Sequence, residues 1–231
     1  MARTSAQTKS AGDAAGQATR ERLLDAAEML FAERGFSAVS SRMITDEAGA
    51  NSAAMHYHFG SKEILVRAIF ERRLGPINER RERLIAEACA AQDPPDIARV
   101  LTAFIGPTLA LGGTRGEQHF RVLAGRASMD PAPEVRRTVF EFYDSVGKCF
   151  VAAMERACPH IDREELFWRL ACVYGTMIYV RVDNGRLQKI LGDDLSFNNA
   201  EVALKHIIPF LAAGLSIPSI STGAMLPTPT P

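Results

Sequence analysis

At 231 residues, 47% hydrophobic and 23% charged, the chain is long enough for one or two packed domains and too apolar to be disordered as a whole. Its 27 basic and 27 acidic side chains cancel, so net charge gives no argument for nucleic-acid binding, and any such reading must rest on local pattern. No apolar run approaches the roughly 18 residues of a membrane span and no apolar leader opens the chain, so it is expected to stay in the cytoplasm, away from membranes.

Residues 1–18 are small and polar with no apolar period, which predicts a flexible arm. Thr19 then offers a cap for a helix with Leu23, Ala27 and Leu30 inward and Leu24 and Phe31 beside them; Gly35 ends it as a left-handed cap. Ser40 or Ser41 starts a short helix carrying Met43, Ile44 and Ala48, and Gly49 breaks it. Asn51 caps a second short helix to Tyr57, and Ser61 caps a longer one through Ile64, Leu65, Ala68 and Ile69. Gly75–Pro76 predicts a kink or interruption there. The run Glu79-Arg80-Arg81-Glu82-Arg83 alternates in sign and reads as a solvated helix face.

Asp93–Pro94–Pro95–Asp96 is a helix start with Asp93 as its cap, and the helix holds Val100, Leu101, Phe104 and Leu109. A segment from Phe120 to Ala127 follows, and Asp130–Pro131–Ala132–Pro133 separates it from a helix through Val139, Phe142, Val146, Phe150 and Met154, which Cys158–Pro159 ends. Asp162-x-x-Glu165 and Asn198-x-x-Glu201 are capping boxes for two further helices, at 162–182 and 199–213, apolar around most of their circumference. Prolines at 218, 227, 229 and 231 make 215–231 a disordered tail. With no alternating strand and no repeat, the fold class is all-α, with about nine helices.

Residues 41–59 have the spacing of a helix-turn-helix: Ile44, Ala48, Ala50 and Met55 face inward, Gly49 serves the turn, and small Thr45 stands where the helices approach closely. The second helix carries small and polar residues opposite Met55, so it fits a major groove about 12 Å wide. It contains no Lys or Arg, and residues 1–70 hold eight basic and eight acidic side chains. The charge facing DNA must therefore come from the placement of Arg42, Lys62 and the arm's Arg3 and Lys9.

The stretch from Arg20 to Leu65 resembles the N-terminal domain of TetR-family transcriptional regulators. It includes Leu30-Phe31-Ala32-Glu33-Arg34-Gly35-Phe36, Ile44, Ala48-Gly49 and Tyr57-His58-Phe59-Gly60-Ser61-Lys62-Glu63-Ile64-Leu65. The resemblance implies a DNA-binding domain at 19–65 and a helical effector-binding and dimerisation domain at 66–214. Arg42 would meet a base edge or phosphate, and Ser52, Ala53, Ala54 and His56 would face the groove. Tyr57 would touch a thymine methyl or a phosphate, while Ser41, His58 and Lys62 would hold the DNA backbone. Thr45 stands where the family usually has Ala, and His56 where many members have Tyr.

It further implies a homodimer built on the last two long helices, through Phe167, Leu170, Tyr174, Met177 and Ile178 on one and Val202, Ile207, Ile208 and Leu211 on the other. The helix from Ser61 past Pro76 would join both domains and act as the lever. Glu165-Leu166-Phe167-Trp168-Arg169, the run His206 to Gly214 and the Tyr57-His58-Phe59 variant resemble the PsrA-type branch, which implies release by a fatty acid or acyl-CoA. Phe104, Phe120, Phe140, Tyr143, Phe150, Trp168 and Cys172 either line an effector pocket or are plain core. Arg121 is either a bidentate anchor for an effector carboxylate or an internal or snorkelled cation.

His56 and His58, two apart on a helix, point to different sides and make a poor metal pair. Cys89, Cys149, Cys158 and Cys172 form no C-x-x-C pair and are expected as reduced, mostly buried thiols. No phosphate-binding, nucleophile-elbow or zinc-protease motif occurs, so an enzyme, a metal and a cofactor beyond a small effector are not expected. Two alternatives stay open: a drug-efflux regulator answering to aromatic or cationic compounds, and an all-helical protein-interaction module that binds no DNA.

Overall fold

A computed structural model describes residues 3–127, 133–182, 184–192 and 194–219. Among them are ten α-helices and no strand. They are α1 (Arg3–Arg34), α2 (Ser41–Glu47), α3 (Ser52–Phe59), α4 (Lys62–Ala91), α5 (Ile97–Leu109), α6 (Arg115–Ala127), α7 (Pro133–Ala157), α8 (Arg163–Val182), α9 (Arg186–Leu191) and α10 (Ala200–Ser216). The all-α expectation holds, with the short α9 added.

Two compact units form, Met1–Ile77 with Leu111–Asp144, and Asn78–Ala110 with Ser145–Pro231. No single cut near residue 65 separates them, because α4 and α7 each supply residues to both. In the first unit α1 lays Leu23, Leu24, Ala27, Leu30 and Phe31 against Ile44 of α2, Met55 and Phe59 of α3, and Leu65, Ile69 and Phe70 of α4. Phe120 of α6 joins this core edge-on to Phe70, with ring centroids 5.3 Å apart. Two short helices could not close such a core alone; their longer neighbours supply the missing wall.

Glu28 of α1 is buried among these apolar groups and is neutralised from α4. Arg72 donates to it at 2.5 Å and Arg73 at 3.1 Å, while Arg72 also reaches Asp25 at 2.8 Å and Glu21 at 3.0 Å. A buried carboxylate is tolerable only with such partners. Arg126 of α6 donates to the Glu33 carbonyl in the last turn of α1, one of the acceptors a helix end leaves open.

In the second unit α5 packs on α10, and α7 and α8 complete a core that includes Val100, Leu101, Phe104, Val146, Phe150, Met154, Val173 and Leu215. Phe104 and Phe150 stack at 4.0 Å, with Tyr174 edge-on to Phe104 at 5.8 Å. Arg81 is fully buried, contrary to the expected solvated face. It lies one turn from both Ile77 and Ile85, on the inward stripe of α4, and is accommodated by the Phe104 carbonyl at 2.7 Å and by the side chains of Asn78 and Thr108.

Several expected boundaries move. Residues 3–18, expected as an arm, are helical; Ala-rich sequence without proline extends α1 once its amphipathic part has formed. Thr19 is therefore no cap, and its hydroxyl donates to the Ala15 carbonyl inside the helix. Pro76 removes one helix bond, yet α4 runs unbroken through it. Asp96, not Asp93, caps α5 by accepting from the Arg99 amide at 2.7 Å, and Asn199, not Asn198, caps α10. The expected tail does not start at 215, where Leu215 is buried and α10 runs to Ser216; residues 220–231 lie outside the described residues. Asp130–Pro131–Ala132, expected as a separator, lies outside them too.

Candidate nucleic-acid interface

The helix-turn-helix is built by local chemistry. Ser40 opens α2 by accepting from the Met43 amide at 3.2 Å, and Asn51 opens α3 by accepting from the Ala54 amide at 2.8 Å. Between them Gly49 takes φ 58°, which a side chain would strain. Ile44, Thr45, Ala48 and Met55 are buried, and the Thr45 hydroxyl donates to the Arg42 carbonyl at 2.9 Å, so its polar atom is satisfied inside the bend.

With Met55 and Phe59 turned inward, α3 leaves Ser52, Ala53, His56 and Tyr57 exposed, and Ala54 and His58 half-buried. Tyr57 is 84% exposed, the side chain of this helix least explained by packing. Its ring meets His58 edge-on at 5.0 Å. Ser41 and Arg42 lie on the exposed side of α2, and the Arg42 side chain, 90% exposed, makes only a loose 3.8 Å pair with Asp46. Small side chains, one tyrosine and one exposed guanidinium form a surface that a major groove can admit.

Lys62 departs from expectation. Instead of standing free for a phosphate, its ammonium donates to the Phe36 and Val39 carbonyls, each at 2.7 Å, and lies 4.0 Å from the Phe36 ring centre. The loop between α1 and α2 turns two carbonyls toward one spot, and the nearest cation satisfies both. Sequence reading missed its counterpart, Arg22, which donates to the Ala48 carbonyl at 3.1 Å. The side chains of Arg3 and Lys9 lie outside the described residues.

The expected effector residues are drawn from both units. Phe120, Arg121, Phe140 and Tyr143 belong to the first unit, and Phe104, Phe150, Trp168 and Cys172 to the second. Phe104 and Phe150 are packed core, Phe140 is exposed, and Arg121 is buried in α6. Trp168 and Cys172 instead line an open groove of about 510 Å³ with Asp162, Glu164, Glu165, Arg169, Gly214 and Ile217. The thiols also split: Cys158 is buried, Cys89 and Cys149 are half-buried and Cys172 is exposed. Burial pushes the Cys158 and Cys149 thiols up, which keeps both protonated.

The expected dimer residues divide in the same way. Leu170, Met177, Ile208 and Leu211 face their own core, and Ile178 and Ile207 are half-buried. Phe167 and Val202 are exposed, while Tyr174 stays 38% exposed with its ring edge-on to Phe104 and Phe150 of the core. The outward face is completed by residues not assigned to it from sequence: Trp168 and Cys172 on α8, Phe210 on α10, and Ile217 just past it. Period alone could not choose, because both helices are apolar around most of their circumference. Arg169 locks the end of α10 to α8. It donates to the carbonyls of Gly214, Leu215, Ile217 and Pro218 at 2.7–3.2 Å and pairs with Glu165.

Comparison with known proteins matches residues 23–69 to the family described as bacterial regulatory proteins, tetR family. Residues 102–214 match the family described as tetracyclin repressor-like, C-terminal domain. Among relatives, the HTH-type transcriptional repressor NicS of Pseudomonas putida is 34% identical over 101 residues, which is 43% of this chain and 46% of NicS. The HTH-type transcriptional repressor KstR2 of Rhodococcus jostii is 47% identical over 57 residues, 24% of this chain and 28% of KstR2. The matched segment thus spans less than half the length of either relative. In three dimensions the fatty acid degradation regulator FadR of Bacillus halodurans shares the fold at a TM-score of 0.61, with 15% identity over 86% of this chain and 96% of FadR.

Proposed function

This chain belongs to the TetR family of bacterial transcriptional regulators, and on that premise we propose that it is a repressor that binds a two-fold symmetric operator as a homodimer. Each subunit lays α3 in a major groove, with half-sites about one helical turn apart. The observation that carries this reading is the 84% exposed Tyr57 on a helix whose other outward side chains are small or polar. Nothing in the packing of the subunit requires such a face, and base edges do. Arg42 stands beside it as the guanidinium available to read a guanine or hold a phosphate.

Pairing rests on the outward face of α8 and α10, where Phe167, Trp168, Phe210 and Ile217 are all more than half exposed. Large apolar side chains left exposed on two adjacent helices mark an association surface, and a second copy is the occupant that doubles the DNA site.

The effector we propose is a small hydrophobic molecule of the fatty-acid or acyl-CoA class. The motifs around Trp168 and in α10, and the fold shared with a regulator of fatty acid degradation, support it. Its binding would favour a state in which the two reading helices no longer match the operator spacing, with α4, which supplies both units, carrying the change. Each tenfold of release requires about 1.4 kcal/mol of differential affinity between the two states.

The test is selection of duplexes from a randomised pool, followed by sedimentation of the free chain and of the complex. A palindromic consensus bound by two chains is expected; an inability to enrich any sequence at low salt overturns the reading. For the effector, fatty acids and acyl-CoAs are expected to raise the melting temperature by mass action and to release the selected duplex. Stabilisation by aromatic or cationic compounds instead overturns the acyl assignment.

A further inference from the structure

We propose that Arg22 and Lys62 are positioning residues for DNA reading: neither lies in the helix-turn-helix, and each grips backbone carbonyls at one end of α2, fixing the pose in which α3 is offered. The inference deepens the reading of α3 as the groove-facing helix and rests on it for the predicted effect on affinity.

A seven-residue helix is too short to hold itself together, because nucleation is costly and its terminal carbonyls have no internal donors. Ala48 closes α2, and its carbonyl immediately precedes the Gly49 turn into α3. Arg22 reaches that carbonyl from α1 at 3.1 Å, with its terminal nitrogen held by Thr19 at 3.2 Å. A cation there also complements the negative end of the helix dipole. At the opposite end Lys62 joins the Phe36 and Val39 carbonyls, both in the single turn that leads into the Ser40 cap. Both contacts are hydrogen bonds from a charged donor, roughly twice as strong as neutral ones. They bridge 26 and 23 residues of sequence, so they tie α2 to the long helices rather than to itself.

This placement separates the two side chains from DNA contacts in a measurable way. A cation that neutralises a phosphate releases counterions, so its removal flattens the salt dependence of binding by about one unit of slope. A cation directed at backbone leaves the slope alone and lowers discrimination instead.

The experiment uses Arg22→Met, Lys62→Met and the conservative Arg22→Lys in the full chain. Affinity for a duplex selected by the wild type is compared with that for a random duplex of equal length over a salt series, and amide hydrogen exchange is followed without DNA. Both Met variants are expected to lose about tenfold or more in the selected-to-random ratio, with salt plots parallel to the wild type, and Arg22→Lys to recover part of it. Exchange should quicken at Gly49–Met55 for Arg22→Met and at Val39–Ile44 for Lys62→Met, with the Ile69 and Phe70 amides of α4 unchanged. A flattened salt slope, an unchanged ratio, or exchange that rises equally throughout the unit overturns the proposal. If the wild type selects no duplex, the DNA reading falls, and the exchange data alone decide the clamp.

Discussion

The segment from Ser40 to Phe59 and the outward face of α8 and α10 both expose side chains that their own unit does not need, and they do so with opposite chemistry. The first offers serine, alanine, histidine and one tyrosine on a short helix without lysine or arginine. The second offers two phenylalanines, with a tryptophan and an isoleucine that line a groove. Base edges and phosphates are wet and polar, so a reading helix must be slim and able to hydrogen-bond. A subunit interface gains most from large apolar anchors whose burial displaces water. One chain thus shows two ways of leaving a surface unfinished, told apart by the size of what is left out.

Substitutions within one helix test that contrast most sharply. Met177→Ala and Leu170→Ala, on the inward side of α8, are expected to lower subunit stability by about 2–5 kcal/mol in denaturant titrations. Phe210→Glu, on the outward side of α10, should leave helicity intact and weaken association by about 2–4 kcal/mol, seen as a monomer in sedimentation and as loss of operator binding. An unchanged dimer would move the interface elsewhere. Trp168 is the chain's single tryptophan, so its emission should shift to the blue on dimer formation and report the same equilibrium.

At the reading face, Arg42→Ala is expected to cost about 1–3 kcal/mol on the selected duplex and to relax preference at one position. Equal loss on random DNA would make it a phosphate contact. The smallest effect concerns pH. Backbone amides at Thr114 and Gly112 hold the Glu117 carboxyl below its ordinary 4.5, and Glu63 is lowered by backbone and Ser61 hydrogen bonds. Both caps stabilise the fold fully above the unfolded carboxylate value and lose that contribution as pH falls through the lower folded one. Glu117→Gln should therefore shave the acid-side slope of melting temperature between pH 5 and 3, and leave it unchanged near neutrality.

The reading head was legible because its signals are local. Ser40, Gly49 and Asn51 act within three residues of themselves, and the period of α1 shows its buried face. Thr114-x-x-Glu117 is a capping box of the same kind that sequence reading passed over, with the Glu117 amide 3.2 Å from the Thr114 hydroxyl. Tertiary choices were not legible. Arg22, Lys62 and Arg81 are ordinary helix cations in sequence, and only folding brings a carbonyl to each. In α8 and α10 an apolar residue stands at nearly every angle, so assigning Trp168 to a ligand or Leu170 to a partner required coordinates.

The grip of Arg169 on the last turn of α10 has a consequence for engineering. One guanidinium satisfies acceptors at Gly214, Leu215, Ile217 and Pro218 from the neighbouring helix, so the outer surface of both helices rests on a brace lying beneath it. Phe167, Trp168 and Phe210 could then be exchanged for another set to redirect which copies associate, provided position 169 is left untouched. Altering that arginine would loosen the platform itself, and every recoded version would inherit the fault.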